Sequence, residues 1–147
     1  MTLLPNDFKE FLLALNHCDV EYMLIGGYAV TFYGYPRTTA DIDIWISTKP
    51  KNAARVMNAL RDFGFGNSDA NEQMFLATGQ VIRMGVPPLR IEILTSISGV
   101  EFDACYSRCT QAVLDDVPVK IISQPDLIAN KLAAGRPKDI ADVAELE

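Results

Sequence analysis

Two aspartates two residues apart, Asp41 and Asp43, interrupt an otherwise apolar run, Thr39-Ala40-Asp41-Ile42-Asp43-Ile44-Trp45-Ile46. A β-strand sends alternate side chains to opposite faces. Both carboxylates and Trp45 therefore share one face, and Ile42, Ile44 and Ile46 take the other. Strands are poor in Asp, and two ionised carboxylates side by side repel. A hard divalent cation such as Mg²⁺ resolves that conflict, because it takes oxygen ligands. The plain alternative is two solvated acids on the outer face of a strand. Glu92 repeats the pattern in Arg90-Ile91-Glu92-Ile93-Leu94, with Ile91 and Ile93 toward the core and Glu92 on the polar face. If the two strands are neighbours, Glu92 completes a carboxylate triad. Two metal ions about 4 Å apart could then activate an attacking hydroxyl and steady a leaving group. Glu92 would serve as general base or as a ligand to the second ion. An ion pair of Glu92 with Arg90, or with a residue across the strand pair, is the competing assignment.

These acids need elements to carry them. Residues 5–18 read as a helix with Phe8, Phe11, Leu12 and Leu15 on one stripe and Asn6 or Asp7 as cap. Residues 21–25 read as a short buried strand that ends at Gly26-Gly27, and a short helix follows to Tyr33. Glycines let a backbone approach a ligand closely, and the free N–H groups of a helix start attract anions such as phosphate; a tight turn is the simpler alternative. Pro50 opens a helix to about 63. Residues 79–84 and 89–96 read as two strands joined across Gly85-Val86-Pro87-Pro88. A helical stretch over 101–113 comes next, putting Cys105 and Cys109 on one face, then a strand over 117–122. A helix from Pro125 to about Ala134 ends at Gly135, and Pro137 opens a last helix with Ile140, Val143, Ala144 and Leu146 as its apolar residues. Interleaved strands and helices with a hairpin predict an α+β fold with a mixed central sheet packed against helices.

The whole chain has 147 residues, 49% of them hydrophobic and 22% charged, which suits one domain over 1–147 with a full core. A net charge of −6 argues against a non-specific nucleic-acid binder. No apolar run approaches the roughly 20 residues of a membrane span. The first residues lack the basic region of a signal peptide, and three cysteines suit a reducing cytoplasm better than a disulfide framework. His17 stands alone, too few for a zinc site, and is expected at the surface or partly buried. Trp45 either stacks on a base or packs under a covering helix. Tyr28, Phe32, Tyr33 and Tyr35 read as the packing face of a short helix.

The order of these features resembles a known family. Gly26-Gly27 between strand and helix, then Asp41-x-Asp43, then a third carboxylate on a later strand, is similar to the nucleotidyltransferase superfamily with the DNA polymerase β-like fold. Two further segments, Gly34-x-x-Arg37-x-Thr39-x-Asp41-Ile42-Asp43 and Leu127-Ile128-x-x-Lys131-x-x-x-x-Arg136-x-Lys138-Asp139-x-x-Asp142, resemble small prokaryotic members related to the AbiEii-type toxins. The resemblance runs from about residue 20 to the end. It implies a Mg²⁺-dependent transfer of a nucleoside monophosphate from a nucleoside triphosphate (NTP) to an acceptor hydroxyl or phosphate. The metal ligands would be Asp41, Asp43 and Glu92, with two Mg²⁺ ions when NTP is bound. Gly26, Gly27 and Lys131 would hold the nucleotide. Arg37 would pair with Asp41 or Asp43 or touch phosphate. A macromolecular acceptor such as tRNA or a partner protein, and a toxin–antitoxin setting in the cytoplasm, follow from the same resemblance. Two positions depart from the pattern: Tyr28 follows the glycines where many members have Ser, and Glu92 stands where Asp is commoner. A non-catalytic binding module on the same fold is the alternative. Lys138 and Asp142, four apart, read as a surface pair, and Asp139 as an acid that offsets the helix dipole.

Overall fold

The computed structural model describes residues 3–36, 39–65, 70–85 and 89–147. Arg37 and the hairpin residues Val86, Pro87 and Pro88 lie outside the described residues. The elements are α1 (Asn6–His17), β1 (Tyr22–Ile25), α2 (Gly26–Phe32), β2 (Asp41–Ile46), α3 (Pro50–Phe63), a 3₁₀ turn (Glu72–Phe75), β3 (Val81–Met84), β4 (Arg90–Leu94), α4 (Phe102–Ser107), β5 (Thr110–Leu114), β6 (Val117–Ile121), α5 (Gln124–Ala134) and α6 (Pro137–Leu146). Six strands form one sheet in the order β3-β4-β2-β1-β6-β5. It is mixed: β2/β4 and β1/β6 run parallel, the other neighbours antiparallel.

Period two does the sorting in β2 and β4. Ile42, Ile44, Ile46, Ile91 and Ile93 are buried in the core with Phe8, Phe11, Leu12, Leu15, Val56 and Leu60 of α1 and α3. Asn52 ties α3 to the sheet: it accepts from Glu21 N–H and donates to the carbonyls of Glu21 and Ser47. On the opposite face, Trp45 is 1% exposed and meets Phe102 of α4 edge to face at 5.2 Å. The packing alternative for Trp45 is the observed one. Among the described residues no helix is long and apolar enough to cross a membrane.

The sequence reading needs four local corrections. α1 is preceded by Pro5, and neither Asn6 nor Asp7 caps it. The helix expected over 101–113 stops at Ser107, and Thr110–Leu114 is an edge strand paired with β6. Asp115 and Asp116, with φ of 48° and 67°, form the tight turn between them. Cys109 therefore lies beyond α4, so it shares no helical face with buried Cys105. In α6, Ile140 is half exposed, and the buried residues are Asp139, Asp142, Val143 and Leu146. His17 is exposed, within the expected range.

Candidate active site

The register of the parallel pair puts Asp43 beside Glu92, with Asp41 beside Arg90. On the other side of β2, Asp43 faces Ile25, the last residue of β1. Gly26 follows at φ 66°, and a Cβ there would overlap Asp43 Oδ2. Glycine is thus required twice at position 26, for the left-handed backbone and for the carboxylate pressed against it. A Cβ on Gly27 would crowd the Thr39 side chain at 3.2 Å. Tyr28 points away from this corner. It is buried, with its ring edge to face with Phe8 at 6.0 Å.

The three acids are electrostatically unresolved. Burial pushes the Asp43 carboxyl up, and the hydrogen bond and charge of Glu92 and the charge of Asp41 push it further, to about 7. A hydrogen bond between two carboxyls requires a proton on one of them. Glu92 also takes Arg83 of β3, its cross-strand neighbour, at 3.0 Å. The cross-strand alternative for Glu92 is therefore realised, with Arg83 and not Arg90 as partner, and it coexists with the contact to Asp43. Among the described residues no three His, Cys, Asp or Glu side chains close around a single point on their own.

Opposite the acids stands the α5–α6 hairpin. Ser123 caps α5, Gly135 ends it at φ 68°, and Pro137 starts α6. Gly99 lets α5 approach closely, since a Cβ there would collide with Ala133, and Asn130 donates to the Ser98 carbonyl at 3.0 Å. Lys131 is buried and its Nζ lies 3.3 Å from Asp139 and 2.9 Å from Asp142. Arg136 grips the same Asp139 with Nε at 2.7 Å, while Asp139 also accepts from the Arg136 backbone N–H. Burial alone would raise the Asp139 carboxyl; the Arg136 hydrogen bonds and the Lys131 charge outweigh it and hold the group below its usual range. Asp142 is buried against Lys131, which corrects its assignment to a surface pair with Lys138.

Between the acids and these cations lies a cleft of about 640 Å³, lined by Gly26, Asp41, Asp43, Arg83, Glu92, Ser96, Asn130, Lys131, Arg136 and Lys138, among others. A smaller recess joins Gly26, Gly27, Thr39, Asp41 and Asp43 to Lys131, Arg136 and Lys138. The fold thus gathers Gly26, Gly27, Asp41, Asp43, Glu92 and Lys131 around one cleft. Sequence reasoning missed Arg83 as a cleft residue. Its signal was available in the alternation Ile82-Arg83-Met84 opposite Glu92 across the hairpin.

Comparison with solved structures places this architecture. An antigenic nucleotidyltransferase-like protein from Paracoccidioides brasiliensis superposes with a TM-score of 0.56 at 19% identity, covering 97% of this chain and 77% of that one. ANT(2")-Ia in complex with adenylyl-2"-tobramycin gives 0.59 at 15% identity, over 95% of this chain and 84% of that one. The lincosamide antibiotic adenylyltransferase LnuA, lincomycin-bound, gives 0.55 at 16% identity, over 99% and 98%. At these identities the likeness is one of fold. No curated protein sequence matches. A family model described as nucleotidyltransferase of unknown function (DUF6036) matches residues 4–147. The chain belongs to that nucleotidyltransferase family.

Proposed function

We propose that this protein catalyses the Mg²⁺-dependent transfer of a nucleoside monophosphate from an NTP to an acceptor hydroxyl or phosphate. The observation that carries the reading is the pairing of Asp43 with Glu92, with Asp41 on the same face, beside a glycine that leaves room for the carboxylate. A half-buried cluster of like charges gives a fold no stability; it makes sense as a site awaiting cations.

The donor set suits Mg²⁺. Its oxygens are hard, and the ion is commonly bound by one or two carboxylates plus substrate phosphates. Closure around the metal would then come with the nucleotide, in keeping with three acids that do not close a ligand sphere alone. Asp41, Asp43 and Glu92 would hold the ions, which would neutralise the charge that develops at the transferred phosphorus. Lys131, Arg136 and Lys138 supply positive charge across the cleft for the triphosphate. Gly26 and Gly27 let its phosphates approach the backbone. In the reaction, the acceptor oxygen bonds to the α-phosphorus, the bond from that phosphorus to the β-phosphate bridging oxygen breaks, and pyrophosphate leaves. Glu92 would take the acceptor's proton or serve as a ligand to the second ion.

RNA, tRNA or a partner protein as acceptor, and a toxin–antitoxin role, rest on the resemblance of the Gly34–Asp43 and Leu127–Asp142 segments, and a cytoplasmic setting on the three cysteines. The test of the reaction combines two readouts. Mg²⁺ with NTP should raise the melting temperature where either alone does little. Incubation with α-labelled NTP, Mg²⁺ and cell extract should move label to an acceptor with release of pyrophosphate. Asp43→Ala should lower transfer by about 10²–10³-fold or more. Release of inorganic phosphate instead, or transfer that survives Asp43→Ala, would refute the proposal.

A further inference from the structure

The sheet ends on two strands, β3 and β5. An open strand edge offers unpaired N–H and C=O groups, and proteins blunt such edges with charge, proline or cover. β3 carries the exposed side chain of Arg83. β5 reads Thr110-Gln111-Ala112-Val113-Leu114, with neither charge nor proline, and its Val113 is 65% exposed. A groove of about 270 Å³ borders it, lined in part by Gln111, Ala112, Val113 and Pro118.

Pairing with β6 decides which β5 groups are open. Opposed residues of an antiparallel pair alternate between exchanging both backbone bonds and exchanging none. Val113 stands opposite Pro118, which has no N–H to give, and the Pro118 carbonyl accepts from Asn16 Nδ2. Val113 and Pro118 are therefore a pair without ladder bonds, and so, two residues on, are Gln111 and Lys120. The backbone N–H and C=O of Gln111 and of Val113 point to the open side. Cys109, next in that series, already gives its N–H to the Tyr106 carbonyl.

These open groups are complementary to themselves. An antiparallel copy centred on Ala112 sets Gln111 against the copy's Val113, and Val113 against the copy's Gln111, so every open N–H meets an open C=O. Centring on Gln111 would set Val113 against Cys109, whose N–H is taken; centring on Val113 would set Gln111 against Asp115 in the turn. The central pair is then Ala112 with itself, a close approach that suits a small side chain. β5 brings no charge to the seam, which matters for a chain of net charge −6. Just past its ends the same register sets the half-exposed guanidinium of Arg108 toward the copy's exposed Asp116. We propose that two copies of this chain join their sheets edge to edge through β5, about a twofold axis at Ala112. β1 and β6 separate this seam from β2, so the inference stands apart from the transfer reading.

Sedimentation velocity of the full chain over a concentration series should show a monomer–dimer equilibrium. Val113→Pro deletes an outward N–H and touches no bond to β6, and an edge strand accepts proline at such a position. It should move dimer formation to roughly tenfold higher concentration or beyond, with the melting temperature of the dilute protein nearly unchanged. Gln111→Pro should act in the same way, so a folding failure of one variant leaves the other to decide. Asp116→Asn should weaken the dimer by a few fold. Ala112→Cys reads the register. Cα atoms of a non-bonded antiparallel pair lie about 4.5 Å apart, within disulfide range. Mild oxidation should therefore link two copies, beyond any linkage through the native cysteines of the unaltered chain, while Val113→Cys, off the axis, should link far less. A chain that stays monomeric up to about 1 mM overturns the proposal. A dimer that ignores both prolines, or an Ala112→Cys dimer that does not link, places the contact elsewhere and overturns it equally.

Discussion

Two charged clusters face each other across one cleft, and they are built on opposite terms. On the sheet side, Asp41, Asp43 and Glu92 crowd like charges, and burial with its acidic neighbours lifts the Asp43 carboxyl to about 7. On the helix side, Lys131, Arg136, Asp139 and Asp142 alternate in sign; every charge there meets an opposite one within 3.3 Å. Lys131, Asp139 and Asp142 are buried and Arg136 is exposed, whereas Asp41, Asp43 and Glu92 are all half-buried, so burial alone does not explain the contrast. The helix cluster is complete without a ligand and fixes how α5 and α6 pack. The sheet cluster is incomplete and lowers the stability of the empty protein. Destabilised charge in a cleft is what ligand binding repays.

The sharpest way to break the contrast is to cut the satisfied side. Asp139 is fully buried and serves two cations and a helix start at once. Removing one partner of such a pair leaves charge buried without its counterpart. Asp139→Ala should cost about 3 kcal/mol in urea unfolding, with Asp142 keeping part of the hold on Lys131. A loss below about 1 kcal/mol would mean that the helix hairpin packs without its ion pairs, and the contrast would lose one of its terms.

The unsatisfied side should respond with the opposite sign. The native Asp43 carboxyl holds its proton up to about 7, above the ordinary value of 3.8. Between those pH values the folded state binds more protons than the unfolded one, so stability falls as pH rises through about 7 and is fully restored below about 3.8. Asp43→Asn removes the titration. In the metal-free protein it should raise stability at pH 8 by on the order of 2 kcal/mol, roughly 5 °C in melting temperature. At pH 5, inside the window between the two values, the gap should be narrower, and it should close only below about 3.8. A melting curve for the wild type that is flat from pH 5 to 9 would show that the acids are already reconciled without a cation.

The contrast was partly visible in the sequence, and the visible part follows the physics of local pattern. Asp41, Asp43 and Glu92 announced themselves because period-two alternation fixes the face of every strand residue, and isoleucines at 42, 44, 91 and 93 leave no doubt which face is core. The mixed sheet with its helices followed from the order of those patterns. By contrast, nothing local told that Asp139 and Asp142 are buried. Their partner Lys131 sits on another helix, and the burial depends on how α5 folds back on α6. The edge strand Thr110–Leu114 was hidden for a different reason. The spacing of Cys105 and Cys109 continues a helical period past the true end of α4 at Ser107, and Gln111 and Val113 point outward from an edge with little core to mark it. The Asp115–Asp116 turn was the overlooked signal, since paired residues that tolerate positive φ mark a tight hairpin. Arg37 belongs to the sequence motif but lies outside the described residues.

Arg83 offers the smallest and most discriminating perturbation. It reaches Glu92 from the neighbouring strand β3, and its side chain is 62% exposed while Glu92 is 18% exposed. An ion pair open to water on one side adds little to stability, so Arg83→Ala should change unfolding free energy by less than about 0.5 kcal/mol. Its effect should appear on the ligand side instead. Without Arg83, Glu92 has no counter-charge from β3, and the like-charge conflict with Asp43 deepens. A cation that bridges the acids then gains more on binding, and the Mg²⁺ concentration for half-maximal NTP-dependent stabilisation should fall by a few fold. A rise instead would assign Arg83 to the nucleotide, as a fourth cation over the phosphates beside Lys131, Arg136 and Lys138.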